Sequence, residues 1–483
     1  MSAAKGFFGH PAGLSTLFFT ELWERFSYYG MRALLILYMT ASLADGGLAM
    51  DITTAGAIYG LYTSMVYMLS LPGGWIADRF LGQRRAVLYG GIVIALGHFS
   101  LALPGMSFFY LGLVLVVVGT GLLKPNISTM VGQLYEPGDQ RRDAGFSIFY
   151  MGINIGAFIA PLACGYLGQR VDWHLGFGLA GVGMTLGLIQ YVAGGRRLGD
   201  AGLRPVPPSS PEAGARQRRN LFTGVGVAVL AAAALAFLPL TAIDIANVAG
   251  VALMTIVAGF FGWLIFSSGW TPVERKRLMV ATLLFVAASV FWCAFEQAGS
   301  TMNLFAQHRT ETVLFGFDFP ASWLQSVNAI FIILLAPVFA WLWVTMGRRE
   351  PSSPAKFALG LVFLGVGFVI LGVGAVRSEA GEMVSPTWLI ASFFFHTVGE
   401  LCLSPVGLSA MTKLAPARVA GMMMGAWFLS NAVGNYVAGR LAGVYEAFSP
   451  PTLFNAVAAT AIVSGVILAL FVRPITRLMS GVK

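Results

Sequence analysis

Four ionisable side chains interrupt the first long apolar stretch of the chain. They are Glu21, Glu24, Arg25 and Arg32. A charged side chain at the centre of a bilayer costs about 2.5–3.5 kcal/mol even on the scale derived from insertion experiments. Glu21, Arg25, Tyr28 or Tyr29, and Arg32 recur at three- or four-residue spacing, which places them along one helix face. This face must contact a cavity or a partner helix. A static ladder of salt bridges would also satisfy the charges, but four of them within a dozen residues favour a functional site.

Three later apolar stretches each carry one isolated charge, namely Lys124, Glu296 and Glu400. The cations Arg32 and Lys124 therefore lie in the first half of the chain, and the anions Glu296 and Glu400 lie in the second half. We predict salt bridges between the two halves that can break and reform, as an alternating gate requires. A zwitterionic ligand carries both charges and could replace such contacts. The charges alone are compatible with an amino acid, a peptide or a betaine as the ligand.

Carboxylates beside arginine are also candidate proton sites. A carboxyl group that moves between a cationic partner and an apolar environment changes its proton affinity, which offers a route to proton coupling. The histidines are weaker candidates. His98 and His396 lie within apolar stretches, but neither is close in sequence to another histidine, so a structural role is favoured for both.

Uncharged polar and aromatic side chains also lie within the apolar stretches. The most prominent are Tyr28, Tyr29, Tyr67, Asn154, Asn328, Ser404, Asn431, Trp292 and Trp427. Each one alone fits a hydrogen bond or packing contact between helices at least as well as a ligand contact. Tyrosine is more common at membrane interfaces than at mid-span, so the three tyrosines stand above the others.

The elements that position these residues are long apolar helices. Hydrophobic residues make up 57% of the 483 residues and charged residues 11%. About 20 apolar residues are needed to cross a bilayer, and the bilayer core forces such spans to be helical. The sequence predicts an all-α polytopic membrane protein with fourteen spans, at about 14–42, 52–78, 84–103, 107–133, 144–168, 175–195, 221–240, 245–268, 279–307, 321–346, 356–376, 385–412, 419–445 and 452–473.

The spans group as six, two and six. This grouping predicts an N-terminal six-helix bundle over 1–195, a cytoplasmic linker with two extra helices over 196–278, and a C-terminal six-helix bundle over 279–483. Two six-helix bundles suggest a ligand site at their interface. The arginine- and proline-rich stretch 196–219 predicts a solvated linker with little helix. The extra pair offers no buried charge, and a scaffold role is favoured.

Basic residues concentrate in alternate loops. Because lysine and arginine favour the cytoplasmic side, both termini are predicted to be cytoplasmic, with Arg473, Arg477 and Lys483 in a basic tail. The net charge of +9 is spread over these loops rather than gathered in one patch, which argues against nucleic acid as a partner. The three cysteines, Cys164, Cys293 and Cys402, are scattered within spans and suggest neither disulfides nor a metal site.

Three stretches resemble known signatures. Glu21-Leu-Trp-Glu24-Arg25-Phe26-Ser-Tyr28-Tyr29-Gly30 resembles the first-helix motif of the proton-dependent oligopeptide transporters, and Phe149-Tyr150-Met-Gly-Ile153-Asn154-Ile-Gly156 is similar to their second motif. Gly74-Trp-Ile-Ala77-Asp78-Arg79-Phe-Leu-Gly82-Gln-Arg84-Arg85 is similar to a loop motif of the wider major facilitator superfamily. The order of the motifs and the two inserted helices extend the resemblance to bacterial members over the whole chain.

The resemblance implies a major facilitator fold and symport of protons with di- and tripeptides, without another cofactor. It assigns proton coupling to Glu21, Glu24, Arg25, Arg32 and Glu296. It assigns gate salt bridges to Arg32, Glu296, Lys124 and Glu400. Lys124 would bind the peptide carboxylate and Glu400 the peptide amino group. The other binding residues would be Arg32, Tyr28, Tyr29, Tyr67, Asn154, Asn328, Ser404 and Trp427.

Other functions stay open at this point. Nitrate or an amino acid could be carried by the same fold, and a passive channel is a further alternative. A membrane-embedded enzyme would need a nucleophile with a base, or a metal cluster, and the sequence offers no such set. The resemblance also leads us to expect a monomer in the bacterial cytoplasmic membrane, surrounded by lipid.

Overall fold

The structure of the chain is a computed structural model that describes residues 6–136, 138–314 and 316–481. Lys483, which the sequence places in the basic tail, lies outside the described residues. Within these described residues the fold is all-α, as predicted, except for one short hairpin that the sequence did not predict. The hairpin pairs β1 (Val313–Leu314) with β2 (Phe317–Asp318) in antiparallel register.

Helices cover the first half of the chain at the predicted spans. They are α1 (Gly13–Thr40), α2 (Ile52–Met68), α3 (Ser70–Ile76), α4 (Gln83–Leu101), α5 (Met106–Gln133), α6 (Arg142–Arg170), α7 (Trp173–Ala193), α8 (Pro211–Phe237) and α9 (Ala242–Phe266). The predicted span 52–78 is broken after Met68, and it ends in one π-helical turn at Ala77–Leu81. Pro125 lies inside α5, directly after Lys124.

The second half continues the same pattern. Its helices are α10 (Pro272–Phe295), α11 (Thr301–Arg309), α12 (Ser326–Met346), α13 (Ser353–Ser378), α14 (Thr387–Leu414), α15 (Ala420–Ala442), α16 (Pro450–Leu470) and α17 (Val472–Leu478). The predicted span 279–307 is one continuous stretch in sequence, but the structure divides it. A 3₁₀ turn at Glu296–Gly299 separates α10 from α11 and carries one of the predicted site carboxylates.

Within the described residues, nine helical segments are long and apolar enough to cross a membrane. About 20 residues suffice for a crossing, and the α5, α6 and α14 segments have 28 or 29. Each of the fourteen predicted spans coincides with a helix or with a broken helix pair. The chain is therefore a polytopic, multi-pass membrane protein.

The chain divides into two compact units, which both receive parts of α1. Unit 1 comprises 1–31, 65–160 and 174–248, and unit 2 comprises 32–64, 161–173 and 249–483. Within unit 1, apolar side chains of α1, α4, α5, α6 and α7 form one buried cluster that includes Leu14, Ile94, Ile127, Phe149 and Met184. The predicted boundaries at 195 and 278 stay predictions.

The stretch 196–219 differs from the predicted solvated linker. Residues 198–206, which we call the strap, pack on unit 1, where Leu198 is buried in the apolar cluster. The Val206 amide donates to the Asp78 carbonyl at 2.7 Å, and the Arg84 amide donates to the Gly202 carbonyl at 2.9 Å. The Gly202 amide donates to the Gln133 side-chain oxygen at 2.7 Å. From Pro211 onward the chain is helical, because Ser210 caps α8 by accepting from the Ala213 amide at 3.2 Å.

Within unit 2, the helices α2 and α15 approach each other through glycine. A Cβ atom added to Gly60 would lie 2.9 Å from the Gly439 Cα atom, so the two backbones are in direct contact. The Thr53 hydroxyl donates to the Gly443 carbonyl at 2.9 Å one turn further along. Small residues that let backbones approach are a common means of helix association in membranes. A helix from the first half of the chain is thereby packed tightly on a helix from the second half.

Candidate functional site

The first group of site residues lies on α1 in unit 1. The Arg25 guanidinium pairs with Glu24, to which its Nη2 atom donates at 2.7 Å, and its Nε atom lies 3.3 Å from Glu21 Oε1. All three side chains are almost fully buried. Among the described residues, Glu21 Oε2 has no hydrogen-bond partner. Two carboxyl groups thus share one guanidinium, and one of their four oxygens is left to accept a proton or a ligand hydrogen bond.

Aromatic rings accompany the cations of unit 1. The Arg25 guanidinium lies 5.1 Å from the centre of the Tyr28 ring, and the Tyr28 and Tyr29 rings meet edge to face at 5.3 Å. The Lys124 ammonium of α5 lies 3.9 Å from the centre of the Tyr67 ring. Cation–π contacts of this kind contribute about 0.5–2 kcal/mol, depending on desolvation. Both contacts help to fix the positions of the two cationic side chains.

The second group lies in unit 2, where Arg32, in the C-terminal half of α1, pairs with Glu296. The Arg32 Nε atom also donates to the Tyr59 hydroxyl of α2 at 2.8 Å. Arg32, Glu296 and Tyr59 are buried. Glu296 begins the 3₁₀ turn between α10 and α11, so the broken helix places its carboxylate next to Arg32. The pair thus joins a helix of the first half to a helix of the second half.

The lack of a side chain at Gly299 leaves room for the Arg32–Glu296 ion pair. A Cβ atom at position 299 would overlap the Tyr59 hydroxyl and would lie 2.8 Å from Arg32 Nε. We therefore expect Gly299→Ala to displace Tyr59 or Arg32 and to lower the free energy of unfolding by about 1–3 kcal/mol, the usual cost of overpacking. Thermal unfolding of the purified protein would measure this loss.

Gly259→Ala is the matched control, because a Cβ atom at this α9 position meets no atom within 4 Å. Alanine is also the better helix former, so the control should leave stability unchanged or slightly raised. Equal unfolding temperatures for the two variants would show that the space beside Arg32 is not tight.

The third group surrounds Glu400 on α14 in unit 2. The Asn328 side-chain amide of α12 donates to Glu400 Oε2 at 3.3 Å and to the Thr397 hydroxyl at 3.0 Å. Glu400 is 8% exposed, so the carboxylate lies inside the protein with a neutral partner. Lys124 and Glu400 belong to different units, and the predicted salt bridge between them stays a prediction.

The remaining predicted residues have simpler surroundings. The Trp427 ring meets the Trp292 ring edge to face at 6.2 Å. The Asn154 side-chain amide donates to the Tyr150 carbonyl at 2.9 Å, one turn back on α6. Ser404 is half-buried on α14, one residue before Pro405. The geometry places these side chains without assigning them a role in binding, and their roles stay predictions.

Sequence reasoning missed Tyr59 and Thr397. Tyr59 lies in a predicted span, as Tyr67 does, and the rarity of mid-span tyrosine could have singled it out. Thr397 carried no such signal, because a threonine hydroxyl within a helix usually bonds to its own backbone. Thr397 does so here, donating to the Phe393 carbonyl at 2.7 Å while it accepts from Asn328.

A fold of long apolar helices with ionisable side chains buried among them is typical of a polytopic membrane transporter. The chain belongs to the POT family, the proton-dependent oligopeptide transporters, whose family model matches residues 84–457. This match confirms the family that the sequence motifs predict.

Individual relatives agree along almost the whole chain. The peptide transporter YePEPT of Yersinia enterocolitica subsp. palearctica is 43% identical, and the alignment covers 99% of this chain and 97% of the relative. The di-/tripeptide transporter of Lactococcus lactis subsp. cremoris is 39% identical, covering 99% and 98%. A crystal structure of a mutant of peptide transporter POT in complex with alafosfalin has a TM-score of 0.92 and 46% identity, covering 99% and 97%.

Proposed function

We propose that the chain is a proton-coupled symporter that imports di- and tripeptides by alternating access. The observation that carries the proposal is the set of buried carboxylates with basic or amide partners inside membrane-spanning helices. Glu21 and Glu24 share Arg25, Glu296 pairs with Arg32, and Glu400 accepts from Asn328. The relatives named as peptide and di-/tripeptide transporters support the same cargo.

The proposed role of each residue is assigned from its charge and its partners. Glu21 and Glu24 would take up and release the coupled proton, because the two buried carboxyl groups share Arg25 and one of their oxygens, Glu21 Oε2, has no partner among the described residues. Lys124 would bind the peptide carboxylate, and Glu400 would bind the peptide amino group with help from Asn328. The Arg32–Glu296 pair would close the outer gate, because it links α1 to the α10–α11 break.

Uptake by purified protein in liposomes tests the proposal. With an acidic exterior and an inside-negative potential, dialanine should accumulate above its external concentration, and a protonophore should abolish the accumulation. Dipeptides and tripeptides should compete with it, whereas free alanine and nitrate should compete weakly. Competition by alanine or nitrate alone would support the alternative cargoes. Downhill flux that never exceeds equilibrium would indicate a channel.

The multi-pass fold leads us to place the protein in the bacterial cytoplasmic membrane, with both termini in the cytoplasm. Reagents that modify cysteine from one side of the membrane would test the orientation through single cysteines introduced into loops. We also propose that the carrier works as a monomer, since each chain carries its own full set of charged residues. Uptake by liposomes that hold at most one copy each would test this.

A further inference from the structure

An apolar groove of about 460 Å³ lies in unit 2 between α9, α10, α15 and α16. Sixteen described residues line it, and none of these residues is charged. The groove is lined by Met254 and Val257 from the middle of α9 and by Cys293 from the C-terminal end of α10. It therefore lies within the membrane-spanning part of the fold, and the Arg32, Glu296 and Glu400 side chains do not line it.

One face of α9 explains why the groove exists. Gly250, Met254, Val257 and Phe261 recur at spacings of four and three residues, so they share a single helix face. The face is in contact with the C-terminal helices at both ends. The Gly250 backbone lies against the Tyr436 hydroxyl, and the Phe261 ring lies 4.5 Å from the Phe285 ring.

The middle of the same face is not covered by protein. Gly250 and Phe261 are buried, whereas Met254 is 39% exposed and Val257 is half-buried. A helix face that packs at both ends would normally pack in between. Here the helices stand apart over the two central positions, and the gap is the groove.

The polar side chains of the groove wall are already satisfied. The Ser289 hydroxyl donates to the Phe285 carbonyl at 2.9 Å, and the Thr460 hydroxyl donates to the Ala456 carbonyl at 2.8 Å. Both bonds are made within one helix, so neither hydroxyl proton is available to a ligand. A water molecule in a cavity needs two to four polar partners, which this wall does not supply. The occupant must be apolar.

We propose that the groove binds one acyl chain of a membrane lipid, which completes the interface between α9 and the C-terminal helices. The bilayer supplies acyl chains at the depth of the groove, and these chains are as apolar as leucine. The volume of about 460 Å³ lies in the range of ordinary ligand pockets. Because the wall is uncharged, the site recognises the chain and not the headgroup.

Photolabelling in vesicles tests the site without any transport measurement. The probe is phosphatidylcholine with a diazirine midway along one acyl chain, and adducts are located by mass spectrometry of the irradiated protein. Val290 in the groove is half-buried, whereas Val463 on α16 is 55% exposed and lies outside the groove. Because the two side chains have the same intrinsic reactivity, a chain in the groove should label Val290 severalfold more strongly than Val463. If labelling instead follows exposure, so that Val463 is labelled more strongly, the proposal is overturned.

A pair of α9 variants provides the matched comparison. Val257→Trp should fill the groove and reduce labelling of Cys293 severalfold. Ile256→Trp, about 100° around α9 from Val257 and outside the groove lining, should leave it unchanged. Thermal unfolding would establish that both variants are folded. Equal labelling of Cys293 in the two folded variants would contradict the site. A phosphatidylglycerol probe with the same chain should label Cys293 to the same extent, and a strong headgroup preference would contradict recognition of the chain alone.

Discussion

Glu24→Gln should abolish accumulation of peptide against its gradient while leaving exchange of peptide across the membrane measurable. The Glu24 carboxylate is fully buried and accepts from Arg25 at 2.7 Å. Glutamine keeps the shape and one acceptor oxygen but cannot bind and release a proton. One proton driven by 100 mV supplies about 2.3 kcal/mol, equivalent to roughly fiftyfold accumulation. Loss of coupling should bring the accumulation ratio down to about one.

Two measurements on the same liposomes separate coupling from binding. Acid-driven uptake gives the accumulation ratio, and counterflow of labelled dialanine gives the exchange rate without a proton gradient. Glu382→Gln, at an exposed position between α13 and α14, is the matched control and should behave as wild type. If Glu24→Gln still concentrated peptide, the coupled proton would have to bind at another group.

Exchanging the partners of the Arg32–Glu296 pair should restore part of what each single reversal removes. Arg32→Glu would leave two buried carboxylates facing each other, and Glu296→Arg would leave two guanidinium groups. Removing one partner of a buried pair costs about 3–5 kcal/mol, because the other charge stays buried without compensation. We therefore expect both single variants to unfold at lower temperature and to lose counterflow.

The double variant returns one charge of each sign to the site. Its recovery should be incomplete, because the Tyr59 hydroxyl, 2.8 Å from Arg32 Nε in the native chain, would then face a carboxylate in a different position. The exposed pair Arg170–Asp318 is the matched control, with side chains 39% and 53% exposed and a separation of 2.5 Å. Reversing this surface pair should change stability by less than about 1 kcal/mol. If the double variant folds but recovers neither the unfolding temperature nor the counterflow lost in the single variants, direct pairing of Arg32 with Glu296 is contradicted.

The charged residues of the site could be predicted because a charge within an apolar span is conspicuous. The spacing along α1 predicted that Glu21 lies next to Arg25, and the opposite charges of Arg32 and Glu296 predicted a contact between them. Both contacts are present in the structure. The family motifs anticipated the fold and the family. The roles of Lys124, Glu400 and the pocket residues stay predictions, since the structure fixes where these side chains lie and not what they bind.

The helix breaks could not be predicted from sequence. The span 279–307 has no proline, yet it is interrupted at Glu296–Gly299, where Gly299 gives space to Arg32 and Tyr59 of other helices. The start of α8 was also not predicted, because the prolines before it suggested a loop. Pro211 instead occupies the first turn of the helix, where a backbone amide would have no hydrogen-bond partner within the helix, so its absence costs no stability. In both places, tertiary contacts or capping outweighed the local pattern.

The docked strap has a consequence for dividing the gene. Two half-proteins produced from separate reading frames should reassemble best if the first half ends within 207–210, after the strap. A break at residue 195 would instead place the strap in the second polypeptide. The Asp78 carbonyl and the Gln133 side-chain oxygen of the first polypeptide would then lack the donors that Val206 and Gly202 supply. We therefore expect the carrier to tolerate a break in its chain only after Val206, the last residue of the strap, which donates to the Asp78 carbonyl of unit 1.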